Sequence, residues 1–326
     1  MNLLQTLKWV LPVLTLLASC TEREVNELND GVIRLGVSTD FTTRAAINDF
    51  TTLSAEGTKV GVYGVKTATE TATTPLGSLW TTGMLMQNVQ TTAIGTDGIM
   101  SWANIYKYPS ADETSKYVKF CLYYPYAGEA ASGSGDYVTS ATSGSAPVLH
   151  FTTDGSKDVM YTTAVTGSRL SPASEVTFKH ALTQLSFELK DEDGLFPFPI
   201  TGVKLMGVNT RAQINIETGA LANWNTPGSV DLSSTSITLQ AGKPEPLGAV
   251  VMLQPEVASY DLEVTYTDGT IKVKTAKVTP VDESTNTFVA GKAYKITINF
   301  RGSRPIELTA KLTPWQAGGK GEAIVE

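Results

Sequence analysis

Apolar side chains recur at every second residue along most of the chain, and this alternation limits what it can fold into. Gly31 to Thr39 places Ile33, Leu35 and Val37 on one side and Arg34, Gly36 and Ser38 on the other. Tyr294, Ile296, Ile298 and Phe300 share one face, and Ile306, Leu308, Ala310 and Leu312 alternate without a fault. A period of two belongs to half-buried strands, because successive side chains of a strand point to opposite faces. Beyond the first twenty residues no long amphipathic helical pattern appears, and abundant Thr, Ser and Gly between the aliphatic residues favour strands too. The expected fold is all-β, and at ~150 residues per domain the length suits two β-sandwich domains in tandem.

Several further runs read as strands. Lys59–Val65 carries glycines that permit twist or close backbone approach. Val176–Leu189 reads as a strand entered through a turn around His180, and Ile200–Val208 and Ala212–Ile216 read as a strand pair ahead of the turn Glu217–Ala220. Gly248–Leu253, Tyr260–Tyr266 and Thr270–Val278 follow, the last two joined through Thr267-Asp268-Gly269, a hairpin signal. The loose stretch Thr166–Ser174 is the expected boundary between an N-terminal domain, 45–170, and a C-terminal domain, 171–326.

The first residues set the compartment. Lys8 precedes a short apolar run, Trp9–Leu17, too brief to span a bilayer but suited to a signal peptide. Small residues then lead into Cys20, an order that resembles the lipobox of bacterial lipoproteins, where cleavage leaves an acylated cysteine as the first residue. That reading makes 1–19 a signal peptide and 20–44 a lipidated tether plus first strand; the alternative is an ordinary secretory signal with an incidental cysteine. Several acyl chains on one residue exceed the marginal hold of a single chain, at ~0.8 kcal/mol per buried methylene. After the first strand comes Phe41–Ala46, a small-residue segment with Arg44 before Ala45, the form that a trypsin-like protease cuts.

Little in the chain points to catalysis. Net charge is -7 with no basic patch, so nucleic acid is not an expected partner. Of two cysteines, Cys121 sits in an apolar run and reads as a small buried side chain. The two histidines, His150 and His180, fall in different predicted domains, which disfavours a histidine-built zinc site. His180, beside Phe178 and Leu182, reads as a hydrogen-bonded core histidine before a catalytic one. No nucleophile elbow, phosphate loop or zincin motif occurs, and no enzyme activity, metal or cofactor is expected. Lys190–Gly194 has calcium-like carboxylates without the remaining loop ligands, and reads as a solvated turn. Tyrosines crowd between Tyr106 and Tyr137; Tyr123, Tyr124 and Tyr126 are either strand and turn residues or a glycan-stacking platform.

Taken in order, the lipobox at Cys20, Arg44 after the first strand, Tyr123-Tyr124-Pro125-Tyr126, Phe178–Leu182, the Phe288…Gly291…Tyr294 strand and Pro314-Trp315…Gly318 resemble a Bacteroidetes fimbrillin, the lipoprotein pilin of the type V pilus. The resemblance implies two transthyretin-like β-sandwich domains, export to the outer membrane and trimming by an arginine-specific protease. It also implies that loss of the first strand leaves a groove which a neighbouring subunit's strand fills, building a cell-surface fimbrium. Carried onto this chain, the cut falls between Arg44 and Ala45 and removes Ile33, Leu35 and Val37. Donor candidates are Ile306, Leu308, Ala310 and Leu312, or the terminal Ala323, Ile324 and Val325 behind a glycine hinge. Implied partners are other pilin subunits, the membrane before cleavage, and surface glycans or proteins; stalk, tip and anchor roles all fit, as does a glycan-binding lipoprotein that never polymerises.

Overall fold

The computed structural model describes residues 30–37, 59–71, 75–95, 97–129, 135–280, 286–301 and, for its backbone, 307–313. The architecture is all-β; the only helix among the described residues is the single turn Leu79–Thr82. Three large sheets carry it. A central sheet runs Phe178–His180, Met160–Thr162, Tyr117–Tyr124, Gly61–Thr67, Met84–Gln90 from edge to edge, with Val165–Ser168 also paired to Tyr117–Tyr124.

This sheet is apolar on both faces. Val62, Phe120 and Leu122 enter one core, while Tyr63, Cys121 and Tyr123 enter another on the opposite side. Cys121 is completely buried, and burial, followed by the charge of Glu217, pushes its thiol up to about 12. Gly61 has a steric reason: a Cβ there would lie 2.0 Å from the ring of Tyr123.

An outer sheet covers the second face. Its order is Ile271–Val278, Tyr260–Thr267, Ile200–Asn215, Val148–Thr152, Tyr137–Thr139, with Leu221–Ser233 paired alongside Ile200–Asn215. The two strands expected at Ile200–Val208 and Ala212–Ile216 are one strand of 16 residues. Bulges against Leu221–Ser233, one of them at Gly207 with φ +66°, shift its inward phase from Val203 and Leu205 to Val208, Ala212 and Ile214. Its first half faces the core of a terminal sheet, and its second half faces the central sheet. The hairpin of Tyr137–Thr139 and Val148–Thr152 joins that second half, pairing Phe151 with Ala212 and Leu149 with Ile214. The outer sheet thus takes strands from both sides of residue 170.

The terminal sheet has the order Glu245–Leu253, Thr183–Asp191, Ala293–Phe300, Glu307–Thr313, with the two middle strands parallel. Tyr294, Ile296, Ile298 and Phe300 are all buried in its core, as their alternation predicts. The chain crosses from central to terminal sheet at His180–Leu182, where His180 Nδ1 lies 2.8 Å from Asp158 Oδ2 in a buried pair. Asp191, expected in a solvated turn, is buried and accepts from the amides of Gly194 and Phe196.

One polar contact pins the single helical turn to the turn after the long strand. Glu217 is buried, its Oε2 accepting from Trp80 Nε1 and its Oε1 from Leu76 N, both at 2.8 Å. Glu217→Ala leaves two buried donors unpaired, at ~1–3 kcal/mol for each such group. Denaturant unfolding is expected to show a loss of at least that size, while Glu217→Gln, which keeps an acceptor, costs less.

Candidate functional site

The site is a slot on the first face of the central sheet, occupied by residues 31–37. On one side the segment 98–108 runs antiparallel to the occupant. Tyr108 N donates to Gly31 O at 2.8 Å, Ile33 N to Tyr106 O at 2.9 Å, Met100 N to Leu35 O at 2.9 Å, and Val37 N to Gly98 O at 2.9 Å. On the other side Gly36–Val37 pairs in parallel with Glu175–Val176, and Gly36 N donates to Ser174 O at 2.7 Å. The occupant is therefore hydrogen-bonded from Gly31 to Val37 along one edge and at Gly36–Val37 along the other.

Its side chains follow the expected alternation. Ile33, Leu35 and Val37 are 1%, 0% and 5% exposed, whereas Val32, Arg34 and Gly36 are half-buried. The three apolar residues pack in one core with Val62, Met86, Phe120, Leu122, Met160 and Val176. Tyr108 ties the two walls together: its ring meets Phe120 edge-on, and its hydroxyl accepts from Ala173 N at 3.0 Å. Burial pushes that hydroxyl up to about 12, so it stays protonated.

Complete burial of three aliphatic side chains is worth ~1.5–3 kcal/mol each. Their sum is of the same order as the ~5–15 kcal/mol net stability of an ordinary domain. A slot emptied of this strand would expose apolar wall and two unpaired backbone edges together, a template for another strand.

At the entrance, Asp30 and Arg34 form an exposed ion pair at 3.0 Å, and Asp30 Oδ1 accepts from Val32 N at 2.8 Å. The hydrogen bond from Arg34, followed by that from Val32 N, holds the Asp30 carboxyl at about 2 against an ordinary 3.8.

Other residues singled out in the sequence are distributed differently. Cys20, Arg44, Ala45, Ile306, Ala323, Ile324 and Val325 lie outside the described residues. Leu308, Ala310 and Leu312 belong to Glu307–Thr313, the edge strand of the terminal sheet, in register with Ile298, Ile296 and Tyr294. Tyr123 does not belong to a surface platform: it is 0% exposed, and its hydroxyl donates to Asn88 Oδ1 at 2.6 Å and accepts from Ala127 N at 3.2 Å. Tyr124 and Tyr126 are half-buried against the two cores flanking the central sheet. The slot walls at 98–108 and 173–176 were not legible beforehand; their only signal was the tyrosine crowding that includes Tyr106 and Tyr108. Among the described residues no group of His, Cys, Asp and Glu is placed to hold a metal ion.

The chain is all-β, and its segment 31–37 packs over one face of a central sheet that is apolar on both faces. The chain belongs to the fimbrillin-like family, whose model matches residues 43–315. No curated protein sequence matches it. Among solved structures, a fimbrial protein from Bacteroides vulgatus is similar at TM-score 0.65 and 16% identity, covering 87% of this chain and 99% of that one. Candidate cell adhesion proteins from Bacteroides uniformis and Bacteroides ovatus are similar at TM-scores 0.54 and 0.52, with 18% and 16% identity. These cover 87% and 88% of this chain and 98% of each of theirs. At such identities the likeness is one of fold.

Two outcomes follow from the slot. Leu35→Asp removes a buried leucine, a loss of ~2–5 kcal/mol even for truncation to alanine, and adds a buried unpaired charge; the full chain's melting temperature is expected to fall by several degrees or more. The Asp30 carboxyl is depressed, so the entrance pair holds above pH 3.8 and is lost as pH falls from there through about 2. In an NMR titration the Val32 amide is expected to move over that range, and to stop doing so in Asp30→Asn.

Proposed function

We propose that this chain is a structural fimbrial subunit that reaches the cell surface as a lipoprotein anchored through Cys20. Cleavage after Arg44 matures it, and strand exchange assembles it. The observation that carries the reading is residues 31–37: an alternating strand, bonded on both edges, filling an apolar slot and lying just ahead of the matched family region, which begins at residue 43. The cut releases lipid and strand together, and the emptied slot takes a strand from another subunit, the mode of recognition in which main-chain bonds give affinity and alternate side chains give fit. The described wall begins again at Lys59, beyond the cut, so the remaining chain keeps every wall of the slot. Export, cutting and assembly place the mature subunit in a cell-surface fimbrium that supports adhesion, with no chemistry of its own.

Two segments compete as donor. Among the described residues Glu307–Thr313 occupies a sheet edge and is bonded on one side, so a single ladder must open there to release it, and Ile306, Leu308, Ala310 and Leu312 supply the required alternation. Ala323–Val325 is shorter and follows Gly318, Gly319 and Gly321. The domain reading, 45–170 and 171–326, carries over with the hairpin 137–152 packed across the boundary.

Treatment of the full-length chain with an arginine-specific protease is expected to yield a new N-terminus at Ala45 and species larger than a monomer in size-exclusion chromatography. Arg44→Ala is expected to stay monomeric. A stable monomer beginning at Ala45 defeats assembly through this slot. Leu308→Asp and Ile324→Asp then identify the donor by which of them blocks assembly.

A further inference from the structure

The outer sheet carries a polar cleft on the face turned away from the central sheet. Leu149 and Phe151 enter the core shared with the central sheet, so His150 and Thr152, between and beyond them on the same strand, point to the other side. There Tyr137, His150, Arg211, Gln213, Asn223 and Asn225 line a cleft of about 200 Å³. Two layers of structure separate it from the slot.

Its polar groups hold one another in fixed orientations. Asn223 Nδ2 donates to Gln213 Oε1 at 2.6 Å, and Gln213 Nε2 donates to His150 Nδ1 at 3.1 Å. That leaves the imidazole proton on Nε2, which donates to Thr139 Oγ1 at 2.6 Å. Burial holds His150 below its ordinary value, in keeping with the neutral ring this chain requires. Tyr137 stacks flat on His150, with centroids 4.2 Å apart and planes 9° from parallel. Asn225 Nδ2 donates to Asn223 O at 2.7 Å, bracing a residue held at φ +57°. A row of oriented amides beside an aromatic ring, seated on strands and not on a free loop, is pre-organised for hydroxyl groups.

Charge narrows the ligand further. Arg211 is exposed at the cleft and forms no ion pair among the described residues, although the protein carries net charge -7. The carboxylate of Asp136, adjacent to Gly135 and Tyr137, is occupied: Lys157 Nζ sits at 2.5 Å from Oδ2 and Thr152 N donates to Oδ1 at 2.9 Å. A free guanidinium favours a planar carboxylate, which it can bind through two parallel hydrogen bonds. The cleft is smaller than the ~300–1,000 Å³ of pockets that engulf a drug-sized ligand, so it suits one ring of a larger molecule.

We infer that this cleft binds a terminal carboxylated sugar of a surface glycan, a uronic or sialic acid, with its carboxylate on Arg211 and its hydroxyls on the Gln213, Asn223 and Asn225 amides. The inference goes beyond subunit assembly and stands apart from it, because the uncleaved monomer already presents the cleft.

The test overlays the full-length, uncleaved chain on an array of uronic- and sialic-terminated oligosaccharides beside the same oligosaccharides without the acidic residue. Retention on acidic members is expected, with about tenfold weaker retention for Arg211→Ala and an intermediate loss for Arg211→Lys, which keeps charge without the planar fork. Unchanged melting temperatures confirm that both variants are folded, Arg211 being at the surface. No retention, equal retention of neutral partners, or retention indifferent to Arg211→Ala each overturns the assignment.

Discussion

A sheet that is apolar on both faces has to be covered twice. In the strand Tyr117–Tyr124 the inner six residues are all buried, Val118, Phe120 and Leu122 toward one core and Cys121 and Tyr123 toward the other. The outer sheet supplies one cover, built from strands embedded in the rest of the fold. The other cover is assembled from short pieces: 31–37, Ala93–Ile94, Met100–Ser101, the chain through Tyr108, and 173–176. Only two residues of 31–37 form a named strand, yet its hydrogen bonds run from Gly31 to Val37. The least regular part of the fold therefore covers one face of the sheet whose burial is most demanding.

The strand Ile200–Asn215 ties this arrangement to the rest of the chain. At ~3.3 Å per residue it spans roughly 50 Å, enough to serve the terminal and the central core in turn. It can face both because bulges reset its phase part-way. Without them a continuous alternation would twist past one core or present polar residues to it. Glu217 sits just beyond its end and holds Leu76 and Trp80 from the first half of the chain, so the junction between the halves is a buried polar clamp as well as an apolar core.

What was legible in the sequence was whatever is encoded by local period. The alternation of 31–37, the shared face of Tyr294 to Phe300 and the hairpin around Gly269 all follow from neighbours in the chain. Ile200–Asn215 read as two strands because the polar Asn209-Thr210-Arg211 interrupts the apolar run, and in sequence such an interruption looks the same as a turn. Leu221–Ser233 gave no signal: most of its side chains are exposed, it contains Asn223, Pro227 and Gly228, and pairing to Ile200–Asn215 holds it. The slot walls were invisible for a different reason. They depend on pairings between residues far apart in sequence, such as Ile33 with Tyr106 and Gly36 with Ser174, that no window of sequence contains. The cleft at Arg211 was equally hidden, since His150 and Gln213 come together only through the register of two strands. The tyrosine run left two readings open because it has the same composition whether it lines a surface or, as at Tyr123, spends its hydroxyl on Asn88 and Ala127 inside.

The two edges of the slot differ in sense: its occupant lies antiparallel to 98–108 and parallel to Glu175–Val176. Any strand accepted in the same hydrogen-bonding frame must enter with the same direction, and reversed entry would lose both ladders. A contact in which one molecule offers a strand and the next offers a slot is not its own mirror under a two-fold axis, so it has no reason to close as a pair. Repeated with a rotation that does not close a ring, such a contact would give an open line with distinguishable ends, in which every copy points the same way.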